Sequence, residues 1–146
     1  MHEKCSFDKI AAMKKTKKVV AAILYRKAAS GVEIFAARRN HGEFTGFWEF
    51  PGGKVEAGET AETALYREVR EELVADIIIE KSFTVVEFEY PDFHLSMECF
   101  LCRFKSDFQL TEHSDARWLP VHKLKSVEWL PADIQIIEKL QRYDYF

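Results

Sequence analysis

The stretch "REVREELVADI", Arg67 to Ile77, places Glu68, Glu71, Glu72 and Asp76 among hydrophobic residues with the spacing of a helix. At about 100° per residue, Glu68, Glu71 and Glu72 share one arc, and Ala61, Ala64 and Leu65 lie on that stripe one or two turns earlier. The carboxylates therefore have no separate solvated face. Val69, Leu73, Tyr66 and Glu62 cover another side, which predicts a helix with contacts on two sides. Arg67 stands four residues before Glu71, but Glu68 precedes Glu72 and Glu72 precedes Asp76 by the same step, and those two pairs repel. Each repulsion costs about 0.2 to 0.5 kcal/mol on an exposed helix. The cost rises in a partly buried cleft, where the effective dielectric is lower. Such a helix needs positive charge from elsewhere. A hard divalent cation supplies it well, because Mg²⁺ selects carboxylate oxygens and keeps waters and substrate phosphates in its shell.

The segment upstream strengthens this reading. "GGKVEAGE" feeds directly into the helix and offers Gly52 and Gly53, the basic Lys54 and the acidic Glu59. Glycines let backbone carbonyls and amides approach an ion or a phosphate closely. Loop and helix form one candidate site.

The rest of the chain bounds what such a site can serve. Its 146 residues, 47% hydrophobic and 31% charged, suit one domain. A net charge of −3 argues against a surface that coats nucleic acid, so no stable nucleic-acid binding is expected, while free nucleotides remain suitable partners. No run approaches the ~18 to 20 apolar residues of a membrane span, and no long apolar leader is visible, which gives a cytoplasmic location as the expectation. Cys5, Cys99 and Cys102 are an odd set that suggests no disulfide framework. Cys99 and Cys102 stand three apart on a predicted strand and so face opposite sides, which makes packing, not metal binding, their expected role.

Residues 1–16 read as a flexible polar tail and 17–146 as a single domain, with Met13 a candidate internal start. Val19 to Arg26 and Val32 to Arg39 read as a hairpin turning at Ser30-Gly31. "FWEFPGGKVEAGE" reads as extended chain breaking into a shaped loop. Thr60 can cap a helix reaching about Val74. Strands are expected over Ile77 to Tyr90 and Leu95 to Phe104, with a short one at "ARWLP". A last helix begins near Pro131 and carries Ile134, Ile137, Leu140 and Gln141 on one stripe.

The loop and acidic helix resemble the Nudix box, a glycine, a glutamate six residues on, and an Arg-Glu-hydrophobic-any-Glu-Glu block eight residues later. Gly53, Glu59, Arg67, Glu68, Val69, Glu71 and Glu72 match in order and spacing within 23 residues. The box's closing glycine is Val74 here and its last hydrophobic position is Ala75, which predicts a different helix end. "WEFPGGKVEAGET" and "YPDFH" resemble the MutT-type branch, and the similarity runs from about Lys17 to Leu140. The resemblance implies an α/β/α sandwich around a mixed β-sheet, acting as a monomer or homodimer. It implies hydrolysis of a nucleoside triphosphate to monophosphate and pyrophosphate with Mg²⁺, or Mn²⁺ in its place.

By that resemblance Glu68, Glu71 and Glu72 are metal ligands, one of them helping to deprotonate the attacking water, and the Gly52 carbonyl is a further ligand. Glu59 and Arg67 orient the site through a salt bridge, and Lys54 adds a cation. MutT-type enzymes complete the set with an acid six residues before a strand tryptophan, as Glu112 stands before Trp118. Arg38 and Arg39 resemble the family's basic pair near substrate, Phe50 and Tyr90 the walls of its base pocket, and Asp133 the residue that contacts the base. An ionised Asp133 only accepts hydrogen bonds, which suits the amino group of cytidine or 5-modified cytidine nucleotides; the branch itself points to oxidised purines such as 8-oxo-dGTP. Protonation would give a buried Asp133 a donor, so both readings stand. A different class, a non-catalytic module that senses a nucleotide or binds a partner, would ordinarily lack box acids that this chain retains.

Overall fold

The first predicted strand is apolar on both of its faces, and such a strand is stable only between two covering layers. In a computed structural model that describes residues 14–142 and Phe146, β1 (Lys15–Ala28) sends Ala21 and Ile23 into one core and Val20, Ala22 and Leu24 into another. α1 (Ala61–Leu73) covers the second core through Ala64, Leu65, Val69 and Leu73. α2 (Ile134–Arg142) covers the first through Ile136, Ile137 and Leu140. The expected α/β/α sandwich is the observed fold.

Between the helices lie β2 (Gly31–Arg39), β3 (Trp48–Glu49), β4 (Gly52–Lys54), β5 (Ile77–Glu89), β6 (Phe93–Phe104) and β7 (His113–Pro120). The sheet runs β3-β2-β1-β6-β5, with β4 added to β1 and β7 to β2. β1 and β6 are parallel from Lys15 opposite Phe93 to Leu24 opposite Cys102, while the other strand pairs are antiparallel, so the sheet is mixed. The other edge of β1 is divided: Val19–Ala21 pair with β4, and Tyr25–Ala28 pair with β2. At the division the Ala22 amide donates to the Pro51 carbonyl at 2.8 Å. One strand thus feeds two partners, and residues 50–54 are laid along the seam between them.

Several expectations need correction. Lys15 and Thr16, assigned to the tail, already belong to β1; the rest of that tail, with Cys5 and Met13, lies outside the described residues. "ARWLP" is the end of a longer strand. In α2 the buried stripe is Ile136, Ile137 and Leu140, whereas Ile134 is 45% exposed and Gln141 is exposed. The chain enters α2 through a 3-10 turn at Pro131–Asp133, and its three residues per turn shift the phase of the apolar stripe. Tyr66 and Glu62 on α1 face solvent, so the two stripes read there reduce to one broad buried face.

α1 begins as its sequence predicts. Thr60, in extended conformation, accepts from the Thr63 amide at 3.1 Å, and Glu62 sits in the positive first turn. Its end corrects the expectation raised by the missing glycine: Val74 takes the left-handed conformation (φ 50°, ψ 42°) and donates to the Arg70 carbonyl at 3.0 Å. Beyond it Asp76 pairs with Arg70 at 2.7 Å, which relieves the repulsion from Glu72. Cys99 and Cys102 lie in opposite cores, and burial pushes the Cys102 thiol up to about 12, as befits inert packing groups. Among the described residues no helix is long and apolar enough to cross a membrane.

Candidate active site

The last carbonyls of a helix have no partners within it. In α1 they are taken up by the approach to β7: Gln109 donates to the Leu73 carbonyl at 2.7 Å, and the Thr111 hydroxyl reaches the Glu71 and Glu72 carbonyls at 2.9 and 2.8 Å. This docking brings the neighbouring Glu112 to the acidic end of the helix. From the other side, Gly52 crosses β1 so closely that a Cβ there would stand 1.9 Å from the Val20 carbonyl oxygen. A Cβ on Gly53 would lie 2.4 Å from the Glu68 carboxyl carbon. The two glycines are what allow the loop to press against the acids, and the Gly52 amide points at Glu72 across 3.4 Å.

Arg67 ties this loop to the helix. Its guanidinium grips Glu59 with two hydrogen bonds, of 2.7 and 2.8 Å, and also donates to the Lys54 carbonyl and to Glu68, each at 2.9 Å. The Arg67 hydrogen bonds hold the Glu59 carboxyl down at about 2. Glu71 lies farther out, 3.4 Å from Arg67 and more than half exposed.

Glu72 has no such partner. It is 8% exposed at one end of a cleft of about 800 Å³, and its carboxyl is pushed up to about 9, first by burial and then by Glu49, Glu68 and Glu112. Burial also raises Glu68, against the pull of Arg67. Glu49, Glu68 and Glu112 thus press on Glu72, which forms no salt bridge among the described residues. Among the described residues no three acidic, histidine or cysteine side chains close into a metal cage. Carboxylate oxygens are nevertheless the donors that a hard cation carrying its own waters and a substrate's phosphates selects. The residues present fit such an ion.

Phe50, Tyr90, Phe93 and Asp133 also line the cleft. The amide and carbonyl of Trp48 pair with the Glu128 carbonyl and the Leu130 amide at 2.8 and 2.9 Å, which draws the following 3-10 turn under the cleft. Asp133 on that turn is 4% exposed, and burial, followed by Glu49, raises its carboxyl well above the usual carboxylate range. Phe50 stacks on Trp129 at 4.7 Å and Tyr90 on Phe93 at 4.9 Å. Gly52, Arg39 and Glu112 also line the cleft. Arg38 does not: on the alternating strand it faces away from Arg39, and its Nε donates to the Gly46 carbonyl at 3.3 Å. Lys54 meets the site through its carbonyl, and its side chain is exposed.

Residues 15–140 match the model of the NUDIX domain. The chain belongs to the Nudix family. This Nudix domain is 34% identical over 112 residues to the 8-oxo-dGTP diphosphatase of Escherichia coli K12, covering 75% of this chain and 87% of that protein. It is 32% identical over 132 residues to the CTP pyrophosphohydrolase of the same organism, covering 82% and 87%. Its fold superposes on the crystal structure of the MutT protein from Methanosarcina mazei Go1 with a TM-score of 0.76 at 27% identity, covering 89% of this chain and 96% of that one. It is a Nudix hydrolase of the MutT type, a family that generally uses divalent cations.

Two cleft residues of this Nudix hydrolase escaped the sequence reading. Glu49 on β3 pairs with Ala37 of β2, which puts it on the same face as Arg39 two residues on. β7 runs beside β2 in regular register as far as Arg38 opposite Asp115, then a bulge sets His113, rather than Ser114, opposite Arg39. That slip turns the imidazole onto the face of Arg39 and Glu49. Arg39 donates to one Glu49 oxygen at 3.0 Å and His113 Nε2 meets the other at 2.9 Å. Alternation beside Trp48 and Phe50 was the available signal for Glu49; nothing local announced the bulge.

Proposed function

We propose that this Nudix hydrolase is a nucleoside triphosphate diphosphatase that releases the monophosphate and pyrophosphate with Mg²⁺, or Mn²⁺ in its place. The observation that carries the reading is one cleft holding both Glu72, a buried acid with no salt bridge among the described residues, and the buried carboxyl of Asp133, with Phe50 and Tyr90 in its lining. Glu68, Glu71 and Glu72, with the Gly52 carbonyl and Glu112, would hold the cation. When bound it neutralises charge growing on the phosphate oxygens and makes water a better nucleophile. One of the glutamates takes the proton of the attacking water. Arg67 and Glu59 keep the helix and loop in register, so that the acids meet the polyphosphate at a fixed distance. Arg39 supplies positive charge near the substrate, while Phe50 and Tyr90 wall the base; Arg38 and Lys54, whose side chains do not line the cleft, take no such part.

Asp133 orders the candidate bases. A protonated carboxyl both donates and accepts, which suits an oxidised purine, whereas an ionised one accepts only, which suits a cytosine amino group. Its raised proton affinity favours oxidised purine triphosphates, 8-oxo-dGTP foremost, and a role in cleansing the nucleotide pool. Cytidine or 5-modified cytidine triphosphates are the second reading, favoured by the CTP pyrophosphohydrolase similarity across most of the chain. Pyrophosphate release with Mg²⁺ across 8-oxo-dGTP, CTP, 5-methyl-dCTP and the ordinary nucleotides tests both. Turnover of a modified or cytidine nucleotide well above the others is expected. Binding without pyrophosphate release would instead identify a sensing module.

A further inference from the structure

Glu49 stands between the two ends of the cleft, close enough to raise both Glu72 and Asp133. A nucleotide reaching from the acids to the base wall must pass it. Its carboxylate is held on one side by Arg39 and on the other by His113, whose side chain is 3% exposed. A carboxylate only accepts, so the His113 Nε2–H donates. The other ring nitrogen, Nδ1, is then left with no partner, the one such buried side-chain atom among the described residues. Orphaned buried polar atoms are rare because they cost stability, and a leucine would fill the same space without that loss. The bulge that aims the ring is a second local departure serving the same contact.

We infer that His113 is a positioning residue: through its hydrogen bond it fixes the Glu49 carboxylate in the middle of the cleft, and it is kept for nucleotide binding at the expense of stability. The inference rests on the nucleotide reading above but not on hydrolysis. It is tested by calorimetric binding of 8-oxo-dGMP, and of CMP in parallel, with Mg²⁺ present, alongside thermal melting of the full chain.

His113→Leu is expected to melt no lower than the parent yet to bind the monophosphate at least about tenfold more weakly, the effect of losing one hydrogen bond to a charged group. In turnover the loss should fall on KM, with kcat changed less than about threefold. His113→Gln, whose amide can still donate to Glu49, should recover most of the affinity. In a Glu49→Gln background His113→Leu should cost little more, because the two act as a unit. Additive losses, a melting point that falls with the affinity, or unchanged binding in His113→Leu would each overturn the assignment. If the parent binds a monophosphate but releases no pyrophosphate, the diphosphatase reading fails while this cycle still decides the role of His113. A parent that binds neither nucleotide overturns both.

Discussion

Glu72 and Glu68 differ in how their charge is met, and that difference sets what each substitution should do. Glu68 leans on Arg67, while Glu72 is buried beside other acids. Either Glu68→Gln or Glu72→Gln is expected to lower kcat at least a hundredfold, about 3 kcal/mol of lost electrostatic stabilisation, in a pyrophosphate-release assay with the circular dichroism spectrum intact. Gly53→Ala tests the contact from the loop side. Its methyl would displace the Glu68 carboxyl, the flexible end of a side chain, so the fold should survive while activity drops about a hundredfold, as expected for an ångström-scale misplacement. These acids were legible because their spacing lies within one loop and one helix. The Glu49 and His113 pair was not, because its partners stand 64 residues apart and meet only through a bulge.

A helix end shows the same contrast between local and tertiary information. Val74 carries a β-branched side chain in a left-handed conformation, which costs an L-residue roughly 1 to 2 kcal/mol and costs glycine almost nothing. Val74→Gly is therefore expected to stabilise the domain by about 1 kcal/mol, raising the melting temperature by about 4 °C, with kcat/KM unchanged because the valine side chain is half exposed and outside the cleft. The missing box glycine pointed to a different ending, yet docking of residues 109–111 on the last turn imposes the usual one. The cap at Thr60 and the β1–β2 hairpin were readable from sequence since their causes are local. The phase of α2 was not, since the preceding 3-10 turn is fixed by a bridge between Trp48 and Trp129.

For the molecule as a whole, the buried acids make stability depend on pH and on metal. The Glu72 carboxyl is raised from an ordinary 4.5 to about 9, so between those values the unfolded chain releases a proton that the folded chain keeps. Stability must then fall as pH rises through that interval, and Asp133 contributes with the same sign. Without divalent ions the melting temperature is expected to decline from about pH 6 to about pH 8.5, and Mg²⁺ should restore it by an increment that grows with pH. Glu72→Gln should flatten the slope and shrink that increment; an unchanged slope would remove Glu72 as its source. The divided edge of β1 has a longer reach. Since the groove follows a seam between two hydrogen-bonded partners, its width is set by strand register, which side-chain exchange leaves alone. Substitutions at the cleft walls can therefore reshape what the groove admits, while the loop and acidic helix stay where the backbone put them.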